Sequence, residues 1–368
     1  MQEREKYDTI YTALDKLGVQ EKDDYLIERG GQVCVERGEE LFFHDGKISP
    51  TALEGYFTCP FRNFAERGLK LKEREETAVL AVDTGNFIHE LLEETTKKSA
   101  EIQTEDQMRA FAMQKGAEIL QRPEYSSQSD TASGLFFSGK LLNEGAEVVV
   151  AAFRQIKNSD FAVEQTEAKV STDTFHGKID RVDGTEKYVR VVDYKTGAID
   201  DSALSYYTGR KLQMQLYMSA IKGERVPAGV FYFPASSDYT DGQEGKYRMK
   251  GFLNGDEEAL LCGDRTITEE KTSEYFPASL KNTRSKRVMS EEVFRKFLDY
   301  SLYVSRQGCR ELKEGFVAPT PYEKSCEYCK YGGMCGFNRD AASARTETQI
   351  DPATIASIAE KVREGKDE

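Results

Sequence analysis

GKIDRVDGTEKYVRVVDYKTG, residues 177–197, decides the fold. Apolar and polar residues alternate on both sides of Asp183-Gly184-Thr185-Glu186-Lys187. Period-two alternation rich in β-branched residues reads as two strands, and the insert between them as the turn of a hairpin. Asp193 and Lys195 are two apart on the second strand, so both leave the same face. Asp180 lies on the first, where pairing can bring its carboxylate beside Asp193. Two such carboxylates repel and raise each other's pKa; a bound cation removes that penalty. Phosphodiester hydrolysis needs a metal to neutralise the scissile phosphate and to lower the pKa of the attacking water. Hard divalent cations prefer oxygen ligands. A carboxylate, carboxylate, lysine set suits that chemistry, with Lys195 orienting water or stabilising developing negative charge. A surface hairpin with scattered charges would carry the same letters, so the motif alone is a weak signal.

Outward from the hairpin, residues 161–195 read as three strands. A helix over about 204–222 and a strand at Gly229–Phe233 follow, then a polar loop at 236–247 and another strand or two. Ser290 is a good N-cap for the next helix. Upstream, Ser49-Pro50 starts a helix with serine as N-cap and proline in the first turn. Asp83-Thr84 starts another, with Phe87, Ile88, Leu91 and Leu92 on its buried side. Residues 100–157 read as further helices around a polar loop, 123–134. ELFFHDGKIS (40–49) is expected to hold one strand, and Tyr7–Leu17 a short helix. The order helices, sheet, helices predicts an α/β core in a helical cover. We divide the chain into an extension, 1–48, a central domain, 49–340, and a polar tail, 341–368.

Other side chains are candidates for the same site. Gly85 and His89 share one helix face, and His89 is either a metal ligand or a hydrogen-bonded core histidine. Gln213 and Tyr217 are likewise four apart, and either approach the phosphate and Lys195 or form a half-buried face. Glu164 and Glu167 lie at the start of the first strand, as an extra ligand or a solvated edge. Lys281, Arg284, Lys286 and Arg287 form a basic stretch that would hold phosphates or be a solvated loop.

The cysteines carry a second signal. Cys326, Cys329 and Cys335 lie close together in SCEYCKYGGMC, and Cys59 lies far upstream before Pro60-Phe61. Three local thiols at this spacing indicate a soft-metal site, and Cys59 is the attractive fourth ligand. Zinc and an iron–sulfur cluster both accept four cysteines. Such a link closes a long loop, which chain entropy puts on the order of 5 kcal/mol. Cys34, Cys262 and Cys309 are isolated and read as ordinary small residues.

The chain has 368 residues, seven cysteines and a formal net charge of −13. This argues against non-specific coating of nucleic acid. The N-terminus, MQEREKYD, has no apolar signal region, and the longest apolar run, Val148–Phe153, is too short to span a bilayer. We therefore expect a cytoplasmic protein, whose clustered cysteines bind metal rather than form disulfides.

Together, ISPTALEGYFTCPFRNFAERGLKLKERE, DTGNFIHELLEE, GKIDRVD, VVDYKTG, LQMQLYM, PAGVFYF and CEYCKYGGMCGF resemble a known family. From about Ile48 to Asn338 the chain looks like the C-terminal nuclease region of the B subunit of AddAB helicase–nucleases, RecB-type members of the PD-(D/E)xK superfamily. The resemblance implies a restriction-endonuclease-like mixed sheet flanked by helices, with a four-cysteine staple. It implies that His89, Asp180 and Asp193 bind Mg2+ or Mn2+, that Lys195 is the catalytic lysine, and that Gln213 and Tyr217 are the QxxxY motif. Glu167 aligns with an upstream acidic position. Cys59, Cys326, Cys329 and Cys335 match the ligands of a [4Fe–4S] cluster, favouring it over zinc. In the family this nuclease cuts the 5′-ended strand of unwound DNA during break repair and recombination.

No GxxxxGK[ST] occurs in the chain, so any ATP-driven unwinding is expected from a partner helicase of the A-subunit type. The chain is expected to be a C-terminal portion or a stand-alone relative. Two other readings compete: an iron–sulfur nuclease of the kind used in CRISPR adaptation, and a non-catalytic DNA-binding scaffold. The intact Asp180, Asp193, Lys195 set speaks against the scaffold, and the helical insert at 100–157 against the shorter nuclease.

Overall fold

The computed structural model describes residues 34–71, 81–122, 125, 132–236, 245–281, 286–322, 324–337, 345, 354–355 and 357–358. The expected helix at Tyr7–Leu17, Arg284 and most of the tail and of the two polar loops lie outside these residues.

The six-stranded sheet runs in chain order: β1 (Ala162–Ser171), β2 (His176–Gly184), β3 (Tyr188–Lys195), β4 (Val226–Pro234), β5 (Lys250–Asn254) and β6 (Val288–Met289). β1, β2 and β3 form an antiparallel meander, β3 and β4 are parallel, β4 and β5 antiparallel, and β5 and β6 parallel. β3 is buried along nearly its whole length, as a central strand covered on both faces must be. Val189 and Val191 enter one apolar cluster with helices α1 (Pro50–Thr58), α5 (Gln213–Ile221) and α6 (Glu291–Lys313). Val192 and Tyr194 enter the other, with α2 (Ala81–Lys97), α3 (Glu105–Leu120) and α4 (Ala132–Lys157). The molecule is thus a mixed α/β fold with helices on both faces of one sheet.

The helix starts are written in the sequence. The Ser49 side chain accepts from Ala52 N–H with Pro50 in the first turn, and Ser290 caps Val293 N–H. Thr104 and Gln107 form a reciprocal capping box at the start of α3. Phe87, Ile88, Leu91 and Leu92 are buried along α2, which begins at Ala81, two residues before Asp83.

Two expectations change. Gly38–Phe42 is a helix, and the chain then reverses at Asp45-Gly46, both with positive φ (51° and 72°), so that the stretch holds isolated bridges, His44 with Lys47 and Ile48 with Phe175, in place of a strand. Aspartate-glycine is a tight-turn pair that cannot continue a strand. The helix expected over 204–222 is broken into Ala203–Tyr207 and α5, because Gly209 is left-handed (φ 76°) and the Phe57 ring fills the space beside it.

The hairpin register is Arg181 opposite Val192, Val182 opposite Val191, and Asp183 opposite Arg190. On the α2 face, three charged side chains are wholly buried. Asp183 Oδ2 accepts from Arg181 Nη2 at 2.9 Å and from Arg190 Nε at 2.8 Å. Arg181 Nε also lies 2.9 Å from Oδ1, an ion pair without hydrogen-bond alignment. Arg181 donates to Gln155 and, at 3.3 Å, to the Tyr194 hydroxyl. Removing the shared carboxylate leaves two buried guanidinium groups without their counter-ion. We expect Asp183→Ala to cost about 3–5 kcal/mol in chemical denaturation; an unchanged midpoint would show that both cations reach solvent.

Candidate active site

Asp180, Asp193 and Lys195 converge on the β2–β3 hairpin. Asp180 Oδ2 accepts from the Tyr194 backbone N–H at 2.8 Å, which fixes one carboxylate beside the strand that carries the other. Lys195 Nζ stands 2.6 Å from Asp193 Oδ2, close enough for an ion pair but off the line of a hydrogen bond, so this buried oxygen has no hydrogen-bond donor. The Lys195 ammonium also faces the Tyr232 ring, 5.7 Å from its centroid.

α2 brings His89 to the same place. Its Nδ1 is 3.3 Å from Asp180 Oδ2, and its ring meets Tyr194 edge-on at 6.1 Å. α5 brings Tyr217, whose hydroxyl accepts from Lys178 N–H at 3.3 Å and from Gln213 Nε2 at 3.4 Å. A Cβ at Gly177 would collide with that hydroxyl, so this approach needs glycine. Glu167 has a left-handed backbone (φ 52°) and pairs with Lys178. It lies between Thr166, opposite Arg181, and Ala168, opposite Ile179, and so stands across from Asp180. Glu164 pairs with Arg225 at 2.7 Å instead.

Burial, and then the charge of Asp193, raises the Asp180 carboxyl from 3.8 to about 7. Burial lowers His89 against the opposing pull of Asp193. Burial works most strongly to lower Lys195, but Asp193, Asp180 and Glu54 together outweigh it and the net shift is upward. The result is a cluster of one lysine, two carboxyl groups and one imidazole whose charges act on one another.

Glu54 is the participant that sequence reading missed. From α1 its Oε1 accepts the Leu212 and Gln213 N–H groups at 2.7 and 2.8 Å, and Lys211 Nζ lies 3.9 Å from Oε2. Burial raises its carboxyl against the pull of Lys211, the two amides and Lys195. An acidic residue in the middle of a helix gives no periodic signal that would mark it. Tyr194 and Tyr232 were missed because their roles belong to a backbone N–H and a ring face.

The four cysteines also come together. Cys59, Cys326, Cys329 and Cys335 line one cavity of about 260 Å3 with Arg62, Pro319 and Phe337 among its walls. None of the four is joined in a disulfide. Cys59 ends α1 and precedes the Pro60–Asn63 turn of helix. Burial raises its thiol, against backbone N–H donation from Arg62 and Phe61. Phe337 N–H points at Cys335 Sγ, 3.4 Å away. Among the described residues, no three or more His, Cys, Asp or Glu side chains close tightly enough to hold an ion as they stand. The donor chemistry still fits: an orphaned carboxylate oxygen at one site, and four thiols with N–H donors around a cavity at the other.

The basic stretch is less open to phosphate than its letters suggest. Arg287 is held by the Asp201 carboxylate and carbonyl, and Lys281 pairs with Glu269 at 3.2 Å. Lys286 is exposed.

The Asp180 shift has a definite sign. A carboxyl whose native pKa lies above its unfolded value stabilises the protein fully below the unfolded value. That contribution is lost as pH rises through about 7. In chelator, the melting temperature should fall over this window, and Asp180→Asn should flatten the slope. An equal slope in both proteins would place the titration elsewhere.

The family model of the PD-(D/E)XK nuclease superfamily matches residues 47–336. Among curated proteins, the chain is similar to three that are each named as the B subunit of an ATP-dependent helicase/deoxyribonuclease. The Clostridium perfringens relative is 24% identical over 90% of this chain and 34% of its own length. The Clostridioides difficile relative is 27% identical over 82% and 31%, and that of Listeria innocua 24% over 83% and 31%. The chain thus spans about a third of the length of these relatives. Among the described residues, no helix is long and apolar enough to cross a membrane. With the family model matched across most of its length and the Asp180, Asp193, Lys195 set on adjacent strands, the chain belongs to the PD-(D/E)XK nuclease superfamily.

Proposed function

We propose that the chain is a Mg2+- or Mn2+-dependent deoxyribonuclease that hydrolyses phosphodiester bonds of single-stranded or unwound DNA. The observation that carries this reading is the Asp180–Asp193 pair with Lys195 beside it and one carboxylate oxygen left without a donor. His89, Asp180 and Asp193 would hold the cation, with Glu167 as a further carboxylate. A bound divalent cation supplies charge neutralisation at the phosphate and a lower pKa for the attacking water.

The chain's own groups then have separate tasks. The Lys195 ammonium, kept charged by Asp193, offsets negative charge that builds on the phosphate oxygens in the transition state. Tyr217 holds the start of β2 through Lys178 N–H, and Gln213 holds Tyr217. Tyr194 fixes the Asp180 carboxylate through its backbone and buttresses the His89 ring. Purified chain with Mg2+ is expected to degrade linear single-stranded DNA. Lys195→Ala should slow this about 10²–10³-fold, and EDTA should abolish it. Equal rates for the Ala variant and the unsubstituted chain would remove Lys195 from the mechanism.

The names of the relatives support a place beside an ATP-driven helicase, of the A-subunit type, in DNA-break repair and recombination. Cleavage of the 5′-ended strand belongs to this reading. The cysteine cavity supports a structural [4Fe–4S] cluster. Zinc would gather four sulfurs about 2.3 Å from one point, whereas here they surround a cavity of about 260 Å3. Reduced thiols of this kind suit the cytoplasm. Cys329→Ser is expected to lose iron and thermal stability together. Unchanged iron content and melting temperature would sink the assignment.

A further inference from the structure

Helix α5 carries Gln213 and Tyr217 but does not cap itself. Its N-cap residue is Leu212, which has no side chain able to accept the exposed N–H groups at the helix start. The acceptor comes from another element: Glu54 Oε1 takes both the Leu212 and the Gln213 N–H. A carboxylate there also meets the positive end of the helix dipole.

Glu54 stands one turn before the end of α1, and the end of α1 is built into the cysteine cavity. Thr58 Oγ1 donates to the Glu54 carbonyl at 2.8 Å, and Cys59 N–H donates to Gly55 O at 3.0 Å. The chain on either side of the three clustered cysteines is fastened to the same turn: before them Tyr322 N–H donates to Thr58 O at 3.1 Å, and after them Arg345 Nη2 donates to Phe57 O at 2.7 Å. The Phe57 ring packs against Gly209, in the loop that leads to Leu212, and against Gly308 of α6. A continuous set of hydrogen bonds thus runs from Cys59 through α1 to the first turn of α5.

Resting on the proposed nuclease reading, we infer that Glu54 is a positioning residue: it caps the helix of Gln213 and Tyr217 and ties that helix to the cysteine cavity. It touches no reacting atom. Its effect passes through Gln213 and Tyr217 to Lys178 and the β2 strand that holds Asp180.

The test is amide hydrogen exchange on the whole chain, without DNA, joined to single-stranded DNA cleavage with Mg2+. In Glu54→Ala, the Leu212 and Gln213 amides should exchange about five- to tenfold faster, the loss expected for a missing cap. The amides of β3 and β4 should keep their protection. In the same variant kcat should fall while KM holds. Glu54→Gln keeps an oxygen that accepts both N–H groups and should restore protection and kcat. Unaltered exchange in the Ala variant would overturn the cap. A Gln variant as impaired as Ala would overturn it too, because only the charge would then matter. Cys329→Ser should speed exchange at Leu212 and Gln213 in the Glu54 chain and add nothing in Glu54→Ala. No acceleration by Cys329→Ser would overturn the tie to the cavity. Exchange needs no turnover, so a chain that cleaves no DNA would count against the proposed function while still deciding the role of Glu54.

Discussion

A single buried carboxylate, Asp183, sits between the guanidinium groups of Arg181 and Arg190, and the candidate active-site face depends on the strand register it helps to hold. Side chains alternate along a strand, so a slip of one residue between β2 and β3 would send Asp180 to the α2 face and Asp183 toward Lys195. Such a slip would carry Arg181 and Asp183 away from Arg190, and a buried charge that loses its partner costs about 3–5 kcal/mol. Two layers of the hairpin thus enforce each other. Pairing on the hidden face fixes the position of the carboxylates on the working face.

That position is electrostatically costly. Asp180 and Asp193 are both largely buried and stand on adjacent strands, and the molecule answers with Lys195 and with a proton on Asp180 held to about 7. A stable hairpin would be better served by apolar residues at both positions. Local rules broken in this way, in an otherwise consistent sheet, mark a site shaped by chemistry rather than by stability.

Much of this was legible because the signals were local. Alternation in 177–197 showed the hairpin, and spacing by two showed that Asp193 and Lys195 share a face. Ser49-Pro50 and Ser290 announced their helices by capping chemistry. The misread elements failed for local reasons as well. Leu41-Phe42-Phe43 has strand composition, yet Asp45-Gly46 turns the chain back at once. Residues 204–222 have helical composition, yet Gly209 adopts a left-handed backbone that ends the first helix. Glu54 was illegible for another reason. Its partners, Leu212 and Gln213, are 158 and 159 residues away and use backbone N–H groups, which no side-chain pattern records.

The long-range contacts explain why the two ends of the domain must meet. α1 and α6 cover one face of the sheet, and they come from opposite ends of the matched region. Nothing in the local sequence of either holds it to the other. Protein contacts begin the closure: Tyr322 to Thr58, Arg345 to Phe57, the Tyr331 hydroxyl to Leu71 O, and the Tyr56 hydroxyl to Glu311. The closure entropy of so long a loop grows only slowly with its length, so a few contacts of this kind offset much of it. They also gather Cys59, Cys326, Cys329 and Cys335 around one cavity, where the two ends of the domain run side by side. The same junction ends in the turn of α1 that carries Glu54, so the cysteine cavity and the candidate active site share a single short helix.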